Sequence, residues 1–293
     1  MSIYFTSTSS NYTSTTSKIL LVTSLFWISE AAFSQTIDKK QVSPWKVSVG
    51  LGVISLPEYE GASKRISSAA PDLNASYKSE DWGTFGIGSK SNGISWTIVD
   101  KHAYSLGLSL GAVQGRVDNK DGTLFRPGSK RLRGMGEIKS SAEYGVFGRV
   151  NAGIPLTFAF KKDAGNGKLN AKDGSFDGSG GSVIELGADI PWEINSKLAL
   201  SLSPSLVWAD KKHNQTYFGV TAAQSAKSGF KTYTPNAGIK SMGLTLNGNY
   251  KIDNSWSANA AVSFTQLTGD AAKSSIVQKK AQSLLFVGAS YTF

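Results

Sequence analysis

The sequence has no cysteine and only two histidines, and 18% of its 293 residues are charged. Without cysteine there are no disulfides and no thiolate metal sites, which agrees with export to an oxidising compartment. Beyond residue 34 there is also no run of about 20 apolar residues, which excludes a bundle of membrane-spanning helices. A transmembrane β-barrel needs no such run, because its apolar residues come at every second position.

The formal net charge is +10 and the sequence pI is near 9.5. The lysines and arginines are scattered and form no dense basic helix or stacking motif, so the sequence predicts no nucleic-acid binding. For a barrel, this charge is better matched to anionic lipid headgroups, or to anionic polymers and solutes at its mouth.

The N-terminus has the layout of a secretory signal. Lys18 precedes the apolar run 19–28, and small residues follow at Ala31, Ala32 and Ser34. A positive charge, a short apolar core and small residues before the cut are typical of a cleaved leader. The predicted organisation is a leader over residues 1–34 that is cut after Ser34, a short periplasmic segment over 35–44, and a barrel over 45–293.

Apolar and small or polar residues alternate from Trp45 to the end of the chain, as they do in strands with one apolar face. Trp45, Val47 and Val49, for example, alternate with Lys46 and Ser48. The strands run for about 9 to 13 residues, which suits tilted membrane strands better than the strands of globular sheets. Aromatic residues near strand ends fit an interfacial girdle: Trp45, Trp96, Trp192, Trp208, Tyr250 and Trp256.

The fold class is therefore all-β, an antiparallel transmembrane β-barrel with short periplasmic turns and long extracellular loops. We count about twelve strands, and ten or fourteen remain compatible with the pattern. Pro155, Pro191 and Pro204 lie inside proposed strands and speak against those segments, since proline removes a ladder donor. The twelve strands are placed at 45–55, 71–78, 82–89, 93–99, 102–113, 137–149, 153–161, 182–193, 197–209, 238–252, 255–266 and 283–293.

The last strand carries the most specific pattern. Leu285, Val287, Tyr291 and Phe293 share one face, and the chain ends on Phe293. This looks like the C-terminal signal by which outer-membrane barrels are recognised for assembly. The prediction is export to a Gram-negative outer membrane, with membrane lipids and the barrel-insertion machinery as partners.

Charged residues on the polar face form a second set of candidates. They would line a narrow pore for small solutes, or they would pair across a plugged interior. The pairing interpretation is favoured, and both remain open. The candidate lumen charges are Lys139, Glu143, Arg149, Glu185 and Asp189.

Motifs for enzymatic chemistry are missing. His102 is predicted in a periplasmic turn and His213 in an outer loop, so a barrel lipase with a serine and histidine at the outer rim is a minor alternative. The glycine-rich stretch 165–181 lacks the ligand spacing of a calcium loop and is predicted to be a flexible outer loop. No catalytic, metal or cofactor residue is predicted.

Short segments in a fixed order resemble the MipA/OmpV family of outer-membrane proteins. The resemblance implies a non-enzymatic barrel, and for the name-giving member a scaffold that holds a lytic transglycosylase and a murein synthase at the outer membrane. Ser274-Ser275-Ile276-Val277 departs from the Ser-Pro-Ile-Val expected in that family. The matching segments are Gly50 to Gly52, Pro57 to Gly61, Gly115-Arg116, Leu132 to Met135, Glu143 to Gly145, Tyr217 to Val220, Leu267 to Ala272 and Tyr291 to Phe293.

Overall fold

The structure is a computed structural model that describes residues 43–89, 93–170, 172 and 174–293. The predicted leader and most of the predicted periplasmic segment lie outside these residues. The described strands are β1 (Trp45–Pro57), β2 (Arg65–Ser79), β3 (Gly83–Gly88), β4 (Gly93–Asp100), β5 (Tyr104–Val113), β6 (Ser141–Asn151), β7 (Pro155–Asp163), β8 (Ser182–Ala188), β9 (Ile190–Glu193), β10 (Leu198–Ala209), β11 (Gly238–Lys251), β12 (Trp256–Leu267) and β13 (Ala281–Thr292).

These strands form one closed antiparallel barrel. Each strand pairs with its neighbours in the chain, and the last strand β13 pairs with β1, with Val49 opposite Tyr291. The segments β8 and β9 both pair with β10 and make one wall position that is interrupted at Asp189. The barrel therefore has twelve wall positions, which confirms the predicted count.

Two predicted strand starts are wrong by four or more residues, and the other boundaries differ by at most two. β2 begins at Arg65 rather than at 71, because residues 65–70 continue the ladder with β1 although they show little apolar alternation. β6 begins at Ser141 rather than at 137, because Ile138 pairs instead with Arg116 and Phe176 in the long connections.

The prolines are accommodated without breaking the barrel. Pro155 is the first residue of β7, where its missing N–H costs little. Opposite Ser203 and Pro204, the pairing of β10 is interrupted between β8 and β9 and resumes in the same register. Pro204, which has no backbone N–H to donate, therefore lies opposite the break between β8 and β9.

The two ends of the barrel differ. One end, here called the turn end, has only the short connections 80–82, 101–103, 152–154, 194–197 and 252–255. The other, the loop end, has the long connections 58–64, 114–140, 164–181, 210–237 and 268–280, besides the short link 89–92. The long connections contain helices η1 (Lys130–Leu132), α1 (Lys211–Phe218), α2 (Ala222–Ser228) and η2 (Ala271–Lys273). No helix in the described ranges is long and apolar enough to cross a membrane.

The wall separates apolar from polar residues as the alternation predicts. In β1, Leu51 and Val53 point outward and are 63% and 62% exposed, whereas Ser48 and Ile54 point inward and are 9% and 3% exposed. Apolar side chains that face outward on all sides of a closed barrel match the hydrocarbon of a membrane, where every backbone group is paired within the wall.

Candidate functional site

The closing strand places the predicted assembly residues on the outer surface. Leu285 and Val287 are 47% and 65% exposed, and Phe293 is 77% exposed. The Phe293 amide donates to the carbonyl of Val47 at 3.0 Å, so the last residue is anchored to the first strand.

Aromatic side chains gather at the turn end. The rings of Trp45 and Tyr77 lie 4.9 Å apart, and Tyr291 contacts both Trp256 at 5.2 Å and Phe293 at 4.9 Å. Rings with an apolar body and a polar edge suit the membrane interface. Of the six predicted girdle residues, only Trp208 lies near the loop end.

One side of the lumen is lined by uncharged polar side chains. Asn259 donates to Ser290 at 3.0 Å and accepts from Asn249 at 2.8 Å, while Thr245 donates to Ser263 at 2.9 Å. These hydrogen bonds run across β11, β12 and β13 and hold the side chains against the wall.

Three of the predicted lumen charges lie on wall strands, and Asp189 lies at the break between β8 and β9. The Glu185 carboxylate is paired with Lys161 at 2.8 Å, and Asp189 accepts from Ser203 at 3.0 Å. Arg149 lies 3.9 Å from Asp100, and Glu143 is half-buried on β6. The structure thus shows polar partners for Glu185, Asp189 and Arg149, and Lys161, the partner of Glu185, was not among the predicted residues.

Lys139 does not lie on the wall, because β6 begins after it. Its backbone amide donates to Phe176 at 2.9 Å, and its exposed ammonium group is 3.7 Å from Asp177. It belongs to the long connections at the loop end.

The five long connections fold together into one unit, here called the loop cap. A cluster of buried apolar side chains draws members from four of them: Tyr59, Ala62, Leu132, Met135, Val220 and Ile276. Leu132 and Ile276 have no exposed surface. A second cluster joins the 210–237 and 268–280 connections through Phe218, Leu267, Ala271 and Ala272.

The turn between β1 and β2 links the cap to the wall. Glu60 pairs with Lys240 of β11 at 3.0 Å, and the fully buried Glu58 carboxylate pairs with Lys64 at 2.9 Å. Gly61 has a φ of 98° and accepts at its carbonyl from the amides of Gln278 and Lys279. A side chain at Gly61 would come within 2.7 Å of Val277, so the close approach requires glycine.

Buried polar groups fasten the other connections. Asp118 accepts from the amides of Gly134 and Gly136 at 3.1 and 2.7 Å. The Gln224 side chain on α2 donates to the carbonyl of Met135 at 2.7 Å. These bonds satisfy backbone groups that the packing buries.

The tip of the 114–140 connection enters the barrel mouth. Leu124 is 2% exposed and packs against the inward-facing residues Ile54 and Leu284. The apolar residues of the lumen near the loop end are therefore in contact with the cap.

The glycine-rich stretch, predicted to be a flexible loop, is bound into the cap where it is described. Asp163 accepts from Ser141 at 2.5 Å and from the amide and hydroxyl of Ser179 at 2.8 and 2.7 Å. Phe176 is buried and bridges to Ile138.

The structure places His102 in the short turn 101–103 and His213 in α1 of the cap. The Nε2 atom of His213 is buried without a hydrogen-bond partner among the described residues, and its ring lies 4.7 Å from that of Tyr217. Burial, together with the charge of Lys240, lowers the pKa of His213 well below 6.5. Within the same residues no cluster of three metal-ligand side chains occurs.

Five of the eight segments that carried the family resemblance lie in or at the edge of the cap, and the other three lie in the wall. Tyr59, Met135 and Val220 come from three of the five and lie in one apolar cluster. Ser275, which departs from the expected proline, donates its hydroxyl to the carbonyl of Lys231 at 2.8 Å, and the loop is folded without the proline. The cap itself was not predicted from the sequence. The matching segments in the long connections were the signal in the sequence that pointed to these connections.

Two known proteins are similar to part of this chain. The chain is 26% identical over 120 residues to the MltA-interacting proteins of Escherichia coli K12 and Shigella flexneri, and the match covers 39% of this chain. The chain spans about half the length of these curated relatives, since 48% of each is matched.

Two solved structures are similar in shape. The NanC porin has a TM-score of 0.42 at 9% identity and covers 84% of this chain and 98% of its own. An outer-membrane channel from Pseudomonas putida F1 has a TM-score of 0.40 at 13% identity and covers 87% and 97%. The model of the family described as MltA-interacting protein MipA matches residues 49–293. The chain belongs to this family.

Proposed function

We propose that the chain is a non-enzymatic outer-membrane barrel that binds a lytic transglycosylase at its turn end, and through it a murein synthase. The observation that carries this proposal is the family match over residues 49–293, together with relatives named for interaction with MltA. The loop end, in this proposal, faces the outside and the turn end faces the periplasm. The leader is removed after Ser34 on export.

The turn end offers apolar anchors for such a partner. Four of its five short turns each hold one large apolar side chain, Trp82, Ile154, Ile194 and Ile252, which are 66%, 42%, 58% and 48% exposed. Exposed apolar groups at the centre of a contact supply much of its binding energy. The loop end, by contrast, buries many of its large apolar residues in the cap, although Phe125 and Leu169 are 41% and 36% exposed.

Purified lytic transglycosylase tests the proposal against the full chain in detergent. We expect binding that weakens about tenfold or more when these four turn residues are replaced by serine. A control variant with Phe264 and Leu108 replaced by alanine alters exposed positions of the outer wall instead, and we expect it to bind as the native chain does. A native chain that fails to bind the enzyme overturns the scaffold.

A narrow pore is the second candidate, because the hydroxyl and amide groups on β11, β12 and β13 provide a polar wall. Planar bilayers distinguish the two functions: steps of constant conductance favour the pore, and a silent barrel that binds the enzyme favours the scaffold. The barrel lipase is tested by ester hydrolysis that disappears in His213→Ala.

A further inference from the structure

Most of the excess positive charge is on the loop cap. The five long connections hold 17 lysines and arginines against nine aspartates and glutamates, whereas the five short turns hold two against three. The five long connections thus account for eight of the ten net charges. A surface with this polarity attracts anions to one end of the barrel.

Two carboxylates of the cap are buried, whereas two of its lysines are well exposed. The Glu58 side chain has no exposed surface and Asp118 is 9% exposed, whereas the side chains of Lys130 and Lys139 are 72% and 67% exposed. The side chains of Asp121 and Asp177 are also exposed, at 45% and 52%, so the positive charge on the exposed face of the cap rests on its excess of lysine and arginine.

A cleft of about 260 Å³ opens on this face between α1 and the 164–181 connection. It is smaller than the pockets of about 300–1,000 Å³ that hold drug-sized ligands, so it suits one sugar unit with a phosphate. Its lining includes Phe176, Ser179, Lys211, Lys212, Gln215 and Thr216.

The two lysines of the cleft lie in the first turn of α1, at the positive end of the helix dipole. The neighbouring Asp210 is committed to the backbone, since its two oxygens accept from the amides of His213 and Ser182 at 2.8 Å each. Among the described residues, no carboxylate lies within 4.0 Å of either ammonium group. A bound anion would offset the repulsion between the two lysines and the helix end.

We propose that this cleft binds the phosphate-bearing sugar headgroup of an anionic glycolipid in the outer leaflet. Lys211 and Lys212 bind the phosphate, and the amide and hydroxyl groups of Gln215 and Thr216 face the sugar. The site lies on the end of the barrel that carries the long loops, next to the leaflet where such a lipid is found. It is separate from the turn end, where the proposed enzyme partner binds.

Soluble probes test the chemistry of the site on the full chain in neutral detergent. Calorimetry is expected to show binding of glucosamine 1-phosphate and none of N-acetylglucosamine. The double variant Lys211→Gln/Lys212→Gln should bind the sugar phosphate about tenfold or more weakly, because it loses the charge-assisted bonds. The matched control Lys279→Gln/Lys280→Gln removes the same charge elsewhere on the cap and should leave binding unchanged.

Native mass spectrometry with diphosphorylated lipid A then tests whether the bound sugar phosphate is the headgroup of a glycolipid. Retention of the lipid by the native chain and its loss in the Lys211/Lys212 variant support the proposal. Equal weakening in both double variants would show diffuse attraction and overturn the site. Inorganic phosphate that binds as tightly as the sugar phosphate, or lipid A that is not retained, would overturn the headgroup as the occupant.

Discussion

The hydroxyl of Tyr59 donates to the carbonyl of Ile276 at 3.0 Å, across 217 residues of sequence. Both residues are buried in the same apolar cluster of the cap. The bond joins the connection after β1 to the connection before β13, which are the two strands that close the barrel. The bond therefore links two parts of the cap across the junction between β1 and β13.

Replacing Tyr59 by phenylalanine should loosen the cap without opening the wall. The change leaves the buried Ile276 carbonyl unpaired, which costs about 1–3 kcal/mol. We expect trypsin to cut the cap lysines about tenfold faster, while the barrel keeps its heat-modifiable migration on gels. Tyr144→Phe, an exposed tyrosine of the outer wall, is the control. Unchanged cleavage in Tyr59→Phe would show that the bond does not stabilise the cap.

Two glycines with the same backbone conformation allow the effect of close packing on the cap to be measured separately from that of backbone strain. Gly136 and Gly229 have φ of 76° and 77°, so alanine at either costs about 1–2 kcal/mol in backbone strain. A Cβ at Gly136 would also lie 2.3 Å from the backbone of Gly174, whereas at Gly229 it meets nothing within 4 Å.

Gly136→Ala should therefore disrupt the cap and Gly229→Ala should only weaken it. Hydrogen exchange of the 114–140 and 164–181 segments measures the difference. Equal exchange in the two variants would contradict the close packing of these segments.

Acidification should open the cap through His213. Its folded pKa is lowered by burial, so the unfolded state binds the proton more readily and cap stability falls as pH drops below about 6.5. Trypsin cleavage, scaled to the unfolded chain at each pH, should rise between pH 7.5 and pH 5.5.

His213→Phe retains a ring beside Tyr217 and should remove this dependence. His102→Phe, in a short turn at the other end, should retain it. A pH dependence that persists in His213→Phe would assign the effect to other groups.

Deleting Tyr291 to Phe293 should leave the protein exported but poorly inserted. The deletion removes the ring contacts with Trp256 and the bond from Phe293 to Val47 at 3.0 Å. The fraction of heat-modifiable barrel in outer-membrane preparations measures insertion, with Phe264→Ala as the control for loss of an exposed aromatic. Normal insertion of the truncated chain would contradict the role of the last strand.

The wall of the barrel could be predicted closely from the sequence. Alternation such as that from Trp45 to Val53 is a local pattern, and the inward or outward direction of each side chain follows from it. The start of β2 was missed because Ser67 to Ala70 are small on both faces. Only the ladder with β1 identifies them as strand.

The candidate residues were predicted unevenly for the same reason. Glu143, Arg149 and Glu185 lie on wall strands, where the alternation assigns a face, and Asp189 lies at the break between β8 and β9. Lys139 was misplaced because Ile138 pairs with the distant Phe176, so that β6 begins only at Ser141. Neither this pairing nor the salt bridge between Lys161 and Glu185 leaves a periodic trace in the sequence.

By itself the sequence predicted an antiparallel wall of about twelve strands, with ten or fourteen also compatible, and an apolar outside, because the direction of each side chain follows from a repeat of two residues. Only the tertiary structure decided that the long connections fold into a cap with its own apolar core. Tyr59 and Ile276 are brought together by barrel closure, and the burial that stabilises such distant contacts has no local period.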